Sequence, residues 1–407
     1  MQLGKFNILL LALLVAAMAM VTVVNAAVDE TSSTNPAPDI RNIQLPELQF
    51  DDNQTKVIVT KELFLDPEVS SLYEKQARES FELIDSEIPY GSIIYHADNG
   101  VTTVFDSTGR QLFSAVDEKT TKVRTSGKDL PATYVHEVPS GSMILTDPEE
   151  PNITYTFDKG NNLVLTVIDH SGASDRPKSS VSLAAARDTV GCNPAGRCSG
   201  WFEYAEDNYI PELTRFEAYW ATPGTPLTNN MGEKIAIFNS IQPSGNGFIL
   251  QPVLEWNVNS NNYAWTAAPW YYDGSSDSYY GRRITGVQTN DVMKGSLYYS
   301  TVNGYPGWWV SIRRNSDPES SIFVTELSST SGLNAQVVLE ATGLGVDSNN
   351  DLPGDVRFYN MNYRKSGGSA ASVSLSGYVD PVASSHFSGL SAVVEQNPST
   401  VKLWTPN

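Results

Sequence analysis

Residues 247–256 read GFILQPVLEW. Side chains of a strand alternate between its faces, so Ile249, Gln251, Val253 and Glu255 share one side, and Leu250, Pro252, Leu254 and Trp256 share the other. A strand that is merely half-wet would scatter Lys, Thr and Ser on its polar side. Here an amide and a carboxylate stand four residues apart on an otherwise apolar strand. That is a more selective pattern than contact with water requires.

The same texture fills the C-terminal half. FEAYWAT, KIAIFNSI, YAWTAAPWYY, GSLYYST, GWWVSIRR, SIFVTEL, AQVVLEAT and DVRFYNMNYR recur between turns rich in Gly, Asn and Ser. Short strands at this spacing over ~200 residues predict a β-sandwich or barrel for residues 191–407. Seven of the eight tryptophans fall between 201 and 309. Large aromatics of this kind fill cores and also line sugar or peptide grooves. Trp308 and Trp309, adjacent in one run, must point to opposite faces of their strand.

The preceding half reads differently. Residues 1–27 carry one early Lys, a long apolar run and the small residues Asn25, Ala26 and Ala27, the pattern of a cleaved signal peptide. The expected destination is extracellular, with no membrane contact after cleavage. Residues 28–56 are polar and Pro-containing and read as a flexible linker. Residues 57–170 read as a smaller α+β domain or propeptide. Its helix is predicted over 66–84 from the spacing of Val69, Leu72, Tyr73, Ala77 and Phe81, and short strands such as SIIYHA, VTTVFDS and NLVLTVID follow. Residues 171–190, Ser-rich and polar, read as a second linker. Asn53 and Asn152 lie in glycosylation sequons.

A net charge of −19 argues against nucleic-acid and anionic-membrane partners. The two cysteines, Cys192 and Cys198, predict a disulfide in an exported chain. Their rival role as metal ligands lacks a neighbouring His, because the four histidines are His96, His136, His170 and His386.

The motifs ILQPVLEW and YAWTAAPWYYDG are similar to those of the glutamic peptidases of the scytalidoglutamic type. The set IFNSIQP, ILQPVLEW, WTAAPWYY, VLEATGL and DLPGDVRF resembles, more closely still, a group of uncharacterised, largely fungal secreted proteins. Both resemblances imply a mainly β chain whose C-terminal part is a concanavalin A-like antiparallel β-sandwich, a jelly roll, behind the smaller N-terminal domain. The peptidase resemblance further implies a Glu acting as general base on water and a Gln amide steadying the oxyanion. Gln251 matches the Gln, and Glu255 the acid that follows it. The family's Ala-Glu-Trp-Ile-Val-Glu segment corresponds to Ala335–Glu340. Gln336 therefore stands where the family keeps its base, and Glu340 matches the second Glu.

Two functions stay open on these residues. One is a glutamic-type endopeptidase using Gln251 with Glu340 or Glu255. The other is a lectin-like module that binds carbohydrate without catalysis. Either assigns Trp265, Trp270, Tyr272 and Gln336 to the bound polypeptide or polysaccharide. No His lies between 191 and 385, which excludes a Ser-His-Asp or Cys-His site within the sandwich. No cofactor is expected, and no metal is assigned. The oxygen-rich loop holding Asp347, Asn349, Asp351 and Asp355 has calcium-type donors, but turn chemistry explains it as well.

Overall fold

The computed structural model describes residues 38, 40–51, 88–120, 122–125, 128–171, 189–228, 233–243, 248–257, 263–273 and 277–407. The signal peptide, the helix at 66–84, Asn53, most of residues 28–56 and nearly all of 171–190 lie outside them. Among the described residues no helix is long and apolar enough to cross a membrane.

The chain is mainly β, and two sheets carry nearly all of it. The larger has thirteen strands, in the order Ser391–Gln396, Thr400–Trp404, Val356–Arg364, Arg215–Ala221, Val292–Val302, Tyr305–Arg314 and Ser320–Val324. It then continues through Ser142–Thr146, Ile153–Phe157, Leu163–Asp169, Ser92–His96, Val101–Phe105 and Gln111–Val116. The ten-stranded sheet runs Gly191–Cys192, Cys198–Ile210, Leu333–Val346, Glu233–Pro243, Ile249–Trp256, Trp265–Tyr272, Ser278–Gly281 and Val135–Val138, with Ile284–Val287 and Ser376–Val379 pairing off this path.

Two parallel junctions graft the N-terminal strands onto the sandwich. Ile322, Phe323 and Val324 pair with Ser142, Met143 and Ile144 in the larger sheet. Residues 278–281 pair with 135–138 in the smaller one. Residues 92–169 thus lengthen the first sheet and complete an edge of the second.

Period-two patterning decides the layers. Ile235, Ile237, Leu250, Leu254, Trp256 and Leu339 enter the core between the sheets together with Trp220, Leu297, Trp308 and Val310. The alternate residues Ala236, Phe238, Ile249, Val253 and Val338 form a second apolar cluster on the opposite, outer face of the ten-stranded sheet. Trp309 leaves the first cluster and packs with a third one among the N-terminal strands. The hairpin that carries this pair turns at Asn303 and Gly304, both at positive φ (53° and 84°), which is the Asn-Gly chemistry a tight two-residue turn demands. The Cys192–Cys198 disulfide is formed and closes the first strand pair of the sandwich.

Candidate functional site

The outer face of the ten-stranded sheet can be built row by row from strand register. One row reads Trp201, Glu340, Ala236, Glu255 and Thr266 across five neighbouring strands. The next is apolar: Tyr204, Val338, Phe238, Val253 and Ala268. In the third, Glu206 pairs with Gln336 and Gln336 with Ser240, and Gln251 pairs with Trp270 and Trp270 with Tyr280. The pairs Phe238–Val253 and Ile241–Leu250 fix a register that sets Ser240 beside Gln251, which joins the two halves of that row.

Gln251, Glu255, Gln336 and Glu340 therefore share one face but not one spot. Gln251 and Gln336 stand in the same row, one strand apart from contact. Glu255 and Glu340 stand in another row, on either side of the small Ala236. Each Gln is about 13 Å along its strand from the Glu that follows it. Side chains stand roughly perpendicular to a sheet, so that gap persists at their tips. The Ser240 hydroxyl donates to Gln336 Oε1 at 2.9 Å and orients its amide.

The carboxylate beside Gln336 is Glu206, which the sequence reading missed. A bulge between Trp201 and Glu203 shifts the alternation of its strand. Trp201, Tyr204 and Glu206 then share the outer face, while Phe202 and Ala205 enter the core. Simple period-two counting cannot place a residue beyond such a bulge.

Glu255 is taken up by an ion pair with Arg283. The guanidinium lies 4.7 Å from the Tyr280 ring centroid and 5.6 Å from that of Trp270. Burial works against the Arg283 charge, yet Glu255 beside it raises its pKa above the ordinary value.

The face is covered. Gln251, Gln336, Glu340 and Glu206 are all buried, Gln251 with the largest exposure at 5%. The cover is the protein's own hairpin, strands Lys122–Thr125 and Lys128–Pro131, with the turn Ala132–Tyr134 that follows. Leu130 and Tyr134 pack in the same cluster as Trp201, Phe238, Val253 and Trp270. Residues 122–125 lie against the strand that carries Gln336 and Glu340. Asp117 ties both ends of the covering segment. Its carboxylate accepts from Thr102 Oγ1 (2.6 Å), Thr133 Oγ1 (2.9 Å) and Tyr134 Oη (3.4 Å). Burial and the nearby Asp117 push the Tyr134 phenol well above its usual range.

The aromatic assignments divide. Trp265 is a correction: it pairs with Trp256, belongs to the core between the sheets and is 1% exposed, so it cannot line the outer face. Trp270 and Tyr272 do lie on that face, buried, and Trp270 stacks on Tyr280 with centroids 4.7 Å apart.

The Asp347–Asp355 loop is built as turns and ion pairs. Asp351 Oδ2 accepts from the Asp347 and Ser348 amides at 3.0 Å each, and Oδ1 accepts from the Thr228 hydroxyl. Asp355 meets Lys402 at 2.8 Å and accepts from the Thr405 amide, Asp347 lies 3.7 Å from Arg197, and Asn349 donates to Ser388.

No family model matches this chain, and no curated protein matches it. Among solved structures it is similar to scytalido-glutamic peptidase bound to a peptide-based transition-state analogue, at 15% identity and a TM-score of 0.37, over 53% of this chain and all of the other. It is also similar to SCP-B, an eqolisin-family peptidase in complex with the tripeptide Ala-Ile-His, at 14% identity and a TM-score of 0.35 over the same shares. It is also similar to a Bacteroides ovatus mixed linkage glucan PUL GH16 in complex with a G4G4G3G product, at 9% identity and a TM-score of 0.26, over 38% of this chain and 71% of that one.

Proposed function

We propose that this chain is an exported, polypeptide-binding β-sandwich whose outer ten-stranded face takes an extended segment, and that the strands Lys122–Thr125 and Lys128–Pro131 with the turn Ala132–Tyr134 occupy that face in the present state. The observation that carries this reading is the occupant. A hairpin of the same chain lies across Val338, Phe238 and Val253, with the polar Glu206–Gln336–Ser240–Gln251 row beside them. Backbone groups of an extended segment match amides and carboxylates set at strand spacing, and apolar pockets between them hold side chains such as Leu130.

A sugar platform is less well supported. It needs an exposed aromatic face, and Trp270 has Tyr280 stacked on it and Arg283 against it. Hydrolysis by a Gln/Glu pair is also less well supported. The amide and the base must converge on one water, ~3 Å from each, whereas Glu255 and Glu340 stand two rows from Gln251, about 13 Å along the strands.

The test uses the full chain with Leu130→Asp, which places a charge under the cover, and a fluorescent peptide with the sequence of residues 119–134. Anisotropy should report micromolar binding to the Leu130→Asp protein, none to the parent, and loss on adding Phe238→Asp. A folded Leu130→Asp protein that binds no peptide would overturn the reading. Cleavage of denatured casein between pH 2 and 7, abolished by Gln251→Ala, would replace it with a peptidase.

A further inference from the structure

Where the N-terminal strands meet the sandwich, three ligand-type side chains converge. His96 ends the strand Ser92–His96, His136 lies in Val135–Val138, and Asp277 precedes Ser278. His136 Nε2 is 2.8 Å from Asp277 Oδ1, and His96 Nε2 is 3.4 Å from the same oxygen. One ligand atom from each residue lies within 4.8 Å of the other two. All three side chains are buried, His96 completely.

The protons are constrained. Thr102 gives its one hydroxyl proton to Asp117 Oδ1, so its oxygen accepts from Nδ1–H of His96 at 2.7 Å. In neutral His96 that leaves a lone pair on Nε2. Nε2 makes no hydrogen bond among the described residues. It lies 3.4 Å from a carboxylate oxygen that His136 Nε2 approaches at 2.8 Å. Two lone pairs facing one another in a buried site repel, and a cation between them removes the conflict.

We propose that His96 Nε2, His136 Nε2 and Asp277 Oδ1 form a binding site for a divalent transition-metal ion of the zinc type. Two imidazoles and a carboxylate are zinc donors. Bonds of 2.0–2.2 Å in a tetrahedron set neighbouring ligand atoms about 3.3 Å apart, and the contacts of 2.8 and 3.4 Å bracket that value. The shell behind the ligands is in place: the Nδ1–H of a metal-binding His is usually held by a carboxylate, carbonyl or water, and here Thr102 relays it to Asp117. The Tyr134 ring stacks on His96 with centroids 3.8 Å apart and fixes its plane. His136 also lines an open cleft with Tyr90, Glu137, Arg283 and Glu319. The ligands come from two N-terminal strands and from the sandwich, so a bound ion would clasp the two together. This site does not depend on polypeptide binding and is tested apart from it.

The test is titration of the full chain with Co²⁺ at pH 7.5, read from its visible absorption, followed by displacement with Zn²⁺. One equivalent should bind with the intense bands of four-coordinate Co²⁺. His136→Gln and His96→Gln should each weaken uptake at least ~100-fold, and Thr102→Val about 10-fold. The exposed-site control His386→Gln should change nothing. Circular dichroism establishes that each variant is folded. The proposal is overturned if the folded parent takes up no Co²⁺, or if uptake survives His136→Gln, which would place the ion at another site.

Discussion

Pro252 and Gly295 face each other across the two sheets: a Cβ placed on Gly295 would come within 2.7 Å of Pro252 Cγ and closer still to the Asn239 carboxamide. A proline in an inner strand forgoes a ladder hydrogen bond. Here its neighbour across the ladder is Pro269, and Pro269 in turn meets Gly281 at 2.8 Å by the same construction. The proline in ILQPVLEW thus belongs to the packing between the sheets, while Gln251 and Glu255 on either side of it turn outward. Gly295→Ala should lower stability by about 1–3 kcal/mol through overpacking. A denaturant midpoint equal to that of the parent would mean that the two sheets separate easily at this point.

Glu203 gives a second expectation. Its Oε1 accepts from the Ser391 amide at 2.7 Å. Burial pushes its pKa up to about 9 from an ordinary 4.5, against the lowering by that hydrogen bond and with some help from Asp355. The folded chain keeps this proton at pH values where the unfolded chain has released it. Its contribution to stability is therefore complete below pH 4.5 and is lost as pH rises towards 9, by a few kcal/mol overall. Glu203→Gln should flatten the fall in melting temperature between pH 5 and 9 and leave pH 4 unchanged. An unaltered slope would show that Glu203 ionises freely in the fold.

The pair Glu255–Arg283 should act as a unit. Both side chains are largely buried, at 14% and 16% exposure. Arg283→Met would strand the carboxylate and should cost about 3–5 kcal/mol, whereas Arg283→Met with Glu255→Leu should recover most of it. A double-mutant cycle in urea measures the coupling; additive losses would mean that water already solvates Glu255.

Much of the sandwich was legible in local pattern. Alternation in ILQPVLEW put Gln251 and Glu255 on one face and Leu250, Leu254 and Trp256 on the other, because side chains of a strand repeat with period two. Trp265 was not legible, since pattern gives parity but not which parity meets the other sheet once both faces are apolar. Glu206 was hidden by a bulge. The His96–His136–Asp277 cluster was hidden by sequence distance, as Asp277 lies 141 residues from His136. The cover over Gln251 and Gln336 was hidden for the same reason. No local signal in residues 117–134 says which surface they will lie on.

That cover supplies the last prediction. Asp117 holds the start of the covering segment to its end through Thr133 and Tyr134. Asp117→Ala removes these acceptors and leaves the buried hydroxyls of Thr102 and Thr133 without them, at about 1–3 kcal/mol for each donor left unsatisfied. The loss falls on a segment attached to the sandwich by apolar contacts and by two short parallel junctions, so it should open locally before the sheets unfold. Hydrogen exchange should then rise in 122–134 and in the amides of 336–340, while the strand Val292–Val302 of the facing sheet stays protected. Acrylamide should quench Trp270 and Trp201 more than in the parent. Uniform acceleration across both sheets would instead mean that the hairpin is an integral part of the core and that its release cannot expose a binding face.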